Sequence, residues 1–359
     1  MIKKYRYWVN LFVIIFFGGL GLIVIFNFIV DPFQQYRKAF FYTFDTEKPR
    51  YLNAGLAKNY DYDSVLIGSS MVENFYAKDI EKYLGFKKVI KLATRGGTIY
   101  EEMKTLETAI NNQNVKNVLF GLDIYAFSLI AQPVELNEKF PEYLYDDDIS
   151  NDIIYLLNFS VLKNSIESLF KPYNKEKINE NLNSLYSWQR EYSSSFTLEN
   201  YKLQLQSLYL ISKNPISGKL FDLNSLKEKF DNVLLPIIKK NKDKNFYIFY
   251  PPYSVGQYKI MELSNYFENH LKFKKYIFNK LKKYKNIKIY DFQCVDKITH
   301  DLKNYKDLAH YSEDINLWML KQISNNNYLV TSKNVDIFIK KLNEQTKKYD
   351  ISGLLQNKN

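Results

Sequence analysis

The chain predicts an α/β protein in which a parallel β-sheet is layered between helices, preceded by a membrane-spanning helix and interrupted by a helical insertion. Three observations carry this. Short apolar runs such as Val65-Leu66-Ile67 end at small-residue turns and run on into helical patterns, and the unit recurs at Lys88–Ala93 and Val115–Leu122. The same alternation returns near the carboxyl end, at Asn245–Tyr250 and Ile287–Phe292. Strand-turn-helix units at this spacing imply right-handed crossovers and a sheet covered on both faces.

The first residues carry Lys3, Lys4 and Arg6, and from Val9 to Val30 the chain is almost entirely apolar. As a helix that run rises about 33 Å, enough to cross a hydrocarbon core. The flank Asp31-Pro32-Phe33 lacks a small-x-small cleavage pattern, so an uncleaved anchor is expected, with a cytoplasmic N-terminus and the rest outside. A Tyr- and Phe-rich connector follows, interrupted by Pro32 and Pro49, and is expected to pack on the main domain. The boundaries read as 1–31 for stub and anchor, 32–60 for the connector, 61–331 for the α/β domain, and 332–359 for a lysine-rich tail ending as a surface helix.

Within the domain, the strand at Val65 stops at Gly68-Ser69-Ser70. The next strand ends at Thr94-Arg95-Gly96-Gly97-Thr98 and leads into a helix with Tyr100, Met103, Leu106 and Ile110 on one face; the third ends at Asp123. From about 127 to 226 the pattern loosens: Pro133, Pro141 and the acidic run Asp146-Asp147-Asp148 alternate with amphipathic pieces such as Ile153–Phe170. This reads as a helical insertion crossing the top of the sheet and shaping a substrate cleft. Helices are expected again at Leu226–Lys240 and Tyr266–Tyr284, and a loop bearing Asp307-Leu308-Ala309-His310 leads into the helix through Trp318.

Composition narrows the chemistry. Cys294 is the single cysteine, which rules out an intramolecular disulfide and a cysteine-based metal site. No metal or cofactor is expected. The net charge of +11 suits a polyanion or an anionic membrane, but lysine is spread along the whole chain with Asn, Tyr and Ile, and no compact Arg cluster argues for nucleic acid.

Acyl transfer at a hydroxyl needs a nucleophile, a base, a group to orient the base, and donors for the oxyanion. A strand ending at a small-residue turn exposes one hydroxyl at the carboxyl edge of the sheet, and Ser70 is the candidate; a plain tight turn is the other reading. His310 is the candidate base. Asp307, three residues earlier, can turn back to the Nδ1 proton within one loop. His300, with Asp296 and Asp301 nearby, is an alternative base, whereas His270, in a polar helix, reads as surface. Glu73 and Arg95 border the expected pocket, where Arg95 either meets an anionic or carbonyl-bearing substrate or forms an ordinary ion pair. Tyr100 and Tyr125 are candidates for stacking on sugar rings, and Pro251-Pro252 for shaping a loop beside the site.

These motifs resemble the SGNH (GDSL-type) hydrolases. Gly68-Ser69-Ser70, the glycines ending the second strand, Gly121-Leu122-Asp123, and Asp307-x-x-His310 look like that superfamily's four blocks, over residues from about 60 to 325 outside the insertion. With the anchor, the chain is most similar to the membrane-anchored cell-envelope branch that includes the D-alanyl-lipoteichoic acid biosynthesis protein and the alginate O-acetylation proteins. The resemblance implies a three-layer α/β/α, flavodoxin-like sheet. It makes Ser70 the nucleophile, with Ser69 where the standard motif has Asp, and backbone N–H groups of Ser70 and of Gly96 or Gly97 in the oxyanion hole. Asp123 falls where an Asn normally donates its amide, and an ionised Asp only accepts. Either backbone donors alone hold the oxyanion, or Asp123 has another role such as capping the next segment.

The function implied is an extracytoplasmic serine O-acyltransferase or esterase acting on a cell-envelope polysaccharide or teichoic-acid-like polymer, with a polytopic membrane acyltransferase as partner. A non-catalytic polymer-binding or scaffolding module is the alternative.

Overall fold

The computed structural model describes residues 2–128, 140–213 and 219–356. Five parallel strands form one sheet: β1 (Ser64–Gly68), β2 (Val89–Ala93), β3 (Asn117–Gly121), β4 (Asn245–Tyr250) and β5 (Ile287–Asp291), in the order β2-β1-β3-β4-β5. That order is the flavodoxin-like one, with its reversal between β1 and β3, where open α/β sheets place their sites. Register runs Gly68 to Ala93 on one side of β1 and Gly68 to Gly121 on the other, so the ends of the three strands lie level. All five residues of β1 are buried, as expected for a strand covered on both faces.

The helices follow local rules. Thr98 and Glu101 form a reciprocal capping box that starts the helix Ile99–Asn112. Its buried face carries Ile99, Met103 and Leu106, while Tyr100, expected on the same face as Met103 and Leu106, is 44% exposed. The helical stretch expected at Leu226–Lys240 contains a π-turn at Phe230–Leu234 just before Pro236, whose missing N–H cannot close the regular ladder.

The chain divides into two compact units, residues 1–60 with 140–181, and 61–139 with 182–359. This division differs from the expected one. The connector groups with 140–181, and only the later part of the insertion belongs with the sheet. In the first unit the helix Ile2–Val30 contains one stretch, Lys4–Val30, long and apolar enough to cross a membrane. It ends at Asp31, whose φ of 50° breaks the helix and whose carboxylate accepts from the Gln35 and Tyr36 amides, each at 2.8 Å, and from the Tyr155 hydroxyl at 3.0 Å. Asn27 donates to the Leu156 carbonyl at 2.8 Å and accepts from Ser165 at 2.8 Å. These bonds tie 140–181 to the end of the long helix, and the connector adds its own through Thr43, which donates to the Lys171 and Pro172 carbonyls, and Lys48, which donates to the Ser160 hydroxyl. Pro49, expected only to interrupt, opens the helix Pro49–Asn59, because proline at the first turn forgoes an N–H that has no acceptor there. Pro133 lies outside the described residues.

In the second unit, the lysine-rich tail expected as a surface helix forms Val335–Lys348 and buries Val335, Leu342, Gln345 and Thr346; Gln345 donates to the Gln293 carbonyl at 2.7 Å. His270 is not on the surface. It is 2% exposed, bonded to Gln293 Oε1 at 2.9 Å, and burial pushes its imidazole down to about 3, so the ring stays neutral. The helix Phe267–Leu281 buries a wider face than its polar sequence suggests because Lys274 is neutralised inside by Asp291 at 2.7 Å.

Candidate functional site

Ser70 opens a single 3-10 turn, Ser70–Val72, directly after β1. Gly68 makes the bend possible: its φ is 149°, and a Cβ there would lie 2.9 Å from the Gly121 carbonyl oxygen. As the first residue of the turn, Ser70 has a backbone N–H with no intrahelical acceptor. Its hydroxyl lies 2.8 Å from His310 Nε2.

His310 comes from the loop after β5, and its other ring nitrogen, Nδ1, is 2.8 Å from Asp307 Oδ2. The second carboxylate oxygen of Asp307 accepts from the Ala309 and His310 amides, each at 2.8 Å. His310 and these donors hold the Asp307 carboxyl down at about 2 against the cost of its burial. A permanently ionised acceptor on Nδ1 fixes the tautomer that leaves Nε2 unprotonated toward Ser70. Three bonds register the loop against the strands: Tyr311 donates to the Met71 carbonyl at 2.6 Å, and Ser254, just past β4, donates through both N–H and hydroxyl to Leu308 O at 3.0 and 2.7 Å.

The third expected block takes a different role. Asp123 accepts the Ser69 hydroxyl at 2.8 Å on Oδ2, and the Tyr125 amide at 2.9 Å together with the Tyr253 hydroxyl on Oδ1. It therefore caps the turn Ile124–Phe127 and braces the Ser70 turn from behind, with no donor to offer an oxyanion. Beside it, Glu102 is fully buried with neither carboxylate oxygen hydrogen-bonded, and burial together with the Asp123 charge pushes its carboxyl well above the usual range. A neutral Glu102 keeps a second negative charge away from Asp123.

Of the two glycines ending β2, Gly97 has its N–H committed to the Thr94 carbonyl at 2.8 Å, which removes it as an oxyanion donor. Gly96, with φ 58°, turns the backbone beside Ser70. Arg95 Nε lies 3.3 Å from Glu73 Oε2, so it forms the ion pair that its sequence position also allowed. Glu73 is wholly buried. Lys91, an interior strand lysine, donates to the Glu73 backbone carbonyl at 2.7 Å, and burial pulls its ammonium down to about 7. His300 contacts Thr299 Oγ1 at 3.1 Å and the Tyr349 ring, and no bond links it to Ser70.

Ser70, His310, Arg95 and Asp123 share a cleft of about 690 Å³. Residues 188–212 and 220–221 supply much of its wall: Trp188 packs edge-on to the His310 ring at 5.5 Å, and Leu208, Ile211 and Phe221 also line it. Tyr125 lines the cleft with its hydroxyl 3.1 Å from that of Tyr266, whereas Tyr100 does not. The Pro251-Pro252 loop delivers Tyr253 to Asp123. Sequence reasoning passed over Trp188, Lys306, Tyr253 and Glu102. Only Lys306, adjoining Asp307, carried a positional signal.

The sequence matches no family model and no curated protein. Among solved structures, the chain is similar to a protein from Streptococcus pneumonia provisionally named a platelet activating factor, at 10% identity and a TM-score of 0.39, over 78% of this chain and 91% of that one. At that distance the neighbour decides nothing about the chemistry, which rests on the side chains themselves.

Proposed function

We propose that this protein is a membrane-anchored serine O-acyltransferase or esterase that works through an acyl-Ser70 intermediate. The observation that carries the reading is the unbroken relay from Ser70 Oγ to His310 Nε2 and from His310 Nδ1 to Asp307, with 2.8 Å at both links. In this reading His310 takes the Ser70 proton as Oγ attacks the carbonyl carbon of the ester. The tetrahedral oxyanion rests on backbone donors at the turn, with the Ser70 N–H, which has no intrahelical acceptor, first among them. His310 then returns the proton to the departing alkoxide oxygen, leaving acyl-Ser70, and water or a sugar hydroxyl deprotonated by the same imidazole completes the turnover. Nothing in this relay prefers one acceptor over the other.

The apolar helix at the N-terminus and the basic residues before it support an extracytoplasmic site. Combined with the motif resemblance, that favours O-acyl groups of a cell-envelope polysaccharide or teichoic-acid-like polymer, with a polytopic membrane acyltransferase as the source of the acyl group. The test is labelling of the full chain in detergent by a fluorophosphonate probe. Labelling lost in Ser70→Ala and in His310→Ala supports the enzyme. Folded protein that resists the probe, from a strain whose glycan acylation is unchanged by Ser70→Ala, favours a non-catalytic module.

A further inference from the structure

The helix Phe159–Ser168 is turned inside out. Its buried side carries Val161, Ser165 and Ser168, whereas Phe159, Ile166, Leu169 and Phe170 are exposed, the two phenylalanines to 81%. At about 100° per residue those four share one stripe, bordered by Lys163 and Glu167, which pair at 3.7 Å. A helix on a unit bathed in water has the reverse pattern, with its large apolar side chains packed and its serines outside. The depth of this helix is fixed by Asn27, which accepts from the Ser165 hydroxyl and donates to the Leu156 carbonyl, both at 2.8 Å. Asn27 stands about 5 Å of helical rise before Val30, where the long helix ends. Arg37 closes that end, donating to the Phe28 and Ile29 carbonyls at 2.8 and 3.1 Å. Whatever the angle between the two helices, Phe159 and Phe170 stand within about 9 Å of Ser165 along their own helix, and so near the level at which the apolar run stops.

We infer that residues 159–170 form a second membrane contact, in which Phe159, Ile166, Leu169 and Phe170 sink into the boundary between lipid headgroups and acyl chains beside the end of the long helix. The inference goes beyond the anchor, and it rests on Lys4–Val30 crossing a membrane and not on the chemistry of Ser70. Depth selects lipid as the occupant. The stretch Lys4–Val30 rises about 40 Å against a hydrocarbon core of about 30 Å, so with Lys4 and Arg6 in one headgroup layer its last turns reach the other. An apolar stripe edged by charge at that level is the pattern of a helix seated in the interface. Lys48, which donates to the Ser160 hydroxyl at 2.8 Å, and Arg37 place cations beside it for the phosphates of the headgroups. A single span leaves its unit free to swivel about the helix axis, and a second contact fixes which side of the unit faces the bilayer.

The experiment places the environment-sensitive fluorophore NBD on a single cysteine of the full chain, in a Cys294→Ala background, reconstituted into vesicles of phosphatidylcholine and phosphatidylglycerol. The reporter positions are Ile166→Cys and, at the other end of the stripe, Phe159→Cys, which serves if the first variant fails to fold; Leu22→Cys reports on the long helix. Spin-labelled phosphatidylcholine present in both leaflets quenches only fluorophores that touch lipid, whichever way the protein inserts. The expected result is that a nitroxide high on the acyl chain dims the Ile166 and Phe159 reporters at least about twofold, and that a nitroxide deep on the chain dims the Leu22 reporter similarly. Unquenched stripe reporters overturn the inference. Water-like emission would then mean an open face, and blue-shifted emission a face covered by a second copy of the chain. An unquenched Leu22 reporter would remove the membrane span and this contact together, whereas a quenched Leu22 with an unquenched stripe removes the contact alone. Neither result bears on the fluorophosphonate test of Ser70.

Discussion

Ser69 donates its hydroxyl to the Asp123 carboxylate across 2.8 Å, so the end of β3 holds the Ser70 turn by accepting a hydrogen bond from it. The three donors on Asp123, from Ser69, Tyr125 and Tyr253, match the capacity of an ionised carboxylate and not that of an amide.

Asp123→Asn is therefore expected to damage the protein, even though an amide at this position is what the resemblance suggests. One donor would face an NH₂ group, costing about 1–3 kcal/mol of stability and loosening the turn, with Ser70 labelling slowed by about tenfold. Urea midpoints and labelling rates of the full chain in detergent check this. A faster reaction in the variant would show instead that Asp123 faces the oxyanion.

Asp307→Asn should leave the loop folded but present the wrong tautomer of His310 to Ser70. By the reasoning that applies to serine triads generally, the rate of Ser70 acylation should fall by about 10³–10⁴. Stopped-time labelling of the wild type and the variant at one pH measures it, and a loss below tenfold would detach Asp307 from the relay.

Gly68→Ala tests the bend that exposes Ser70. With φ at 149° and the Gly121 carbonyl 2.9 Å from any Cβ, alanine must shift the ends of two strands. A cost of about 1–3 kcal/mol is expected, together with loss of labelling. A variant with wild-type stability would mean that the turn can relax without glycine.

The buried His270 predicts a pH dependence remote from the site. Its ring titrates at about 3 in the fold against 6.5 for the free side chain, because burial and the neighbouring Lys274 oppose a second positive charge. Between those values the unfolded chain binds a proton that the native state does not. The contribution of His270 is thus intact above pH 6.5 and drains away as the pH falls toward 3, by an amount on the order of a few kcal/mol. His270→Gln should flatten the fall of the urea midpoint between pH 7 and 4.5; an unchanged slope would place the titration elsewhere.

Much of this architecture was legible along the chain because it depends on local rules. Apolar runs marked all five strands, the first three of them ending at small residues, and Asp307 and His310, three residues apart, carry their pairing within one loop. The apolar stretch before Asp31 is equally local. What the sequence did not disclose depends on which distant groups meet. The capping role of Asp123 was one of the two readings open in the sequence, but its partners Ser69 and Tyr253 were not. His270 reads as exposed until Asp291 neutralises Lys274 beside it. The partners of Asn27 and Asp31 are hidden in the sequence until Ser165 and Tyr155, 138 and 124 positions on, are seen to donate to them.

By itself the sequence determined the strand order's raw material, the long apolar helix at the N-terminus and the residue types able to move a proton. Tertiary structure alone decided that Ser70 and His310, 240 positions apart, stand at hydrogen-bond distance. The physical reason is that periodicity and capping act within a few residues, whereas a relay of side chains exists only once the parallel strands have aligned their ends and a distant loop has docked against them through Tyr311 and Ser254.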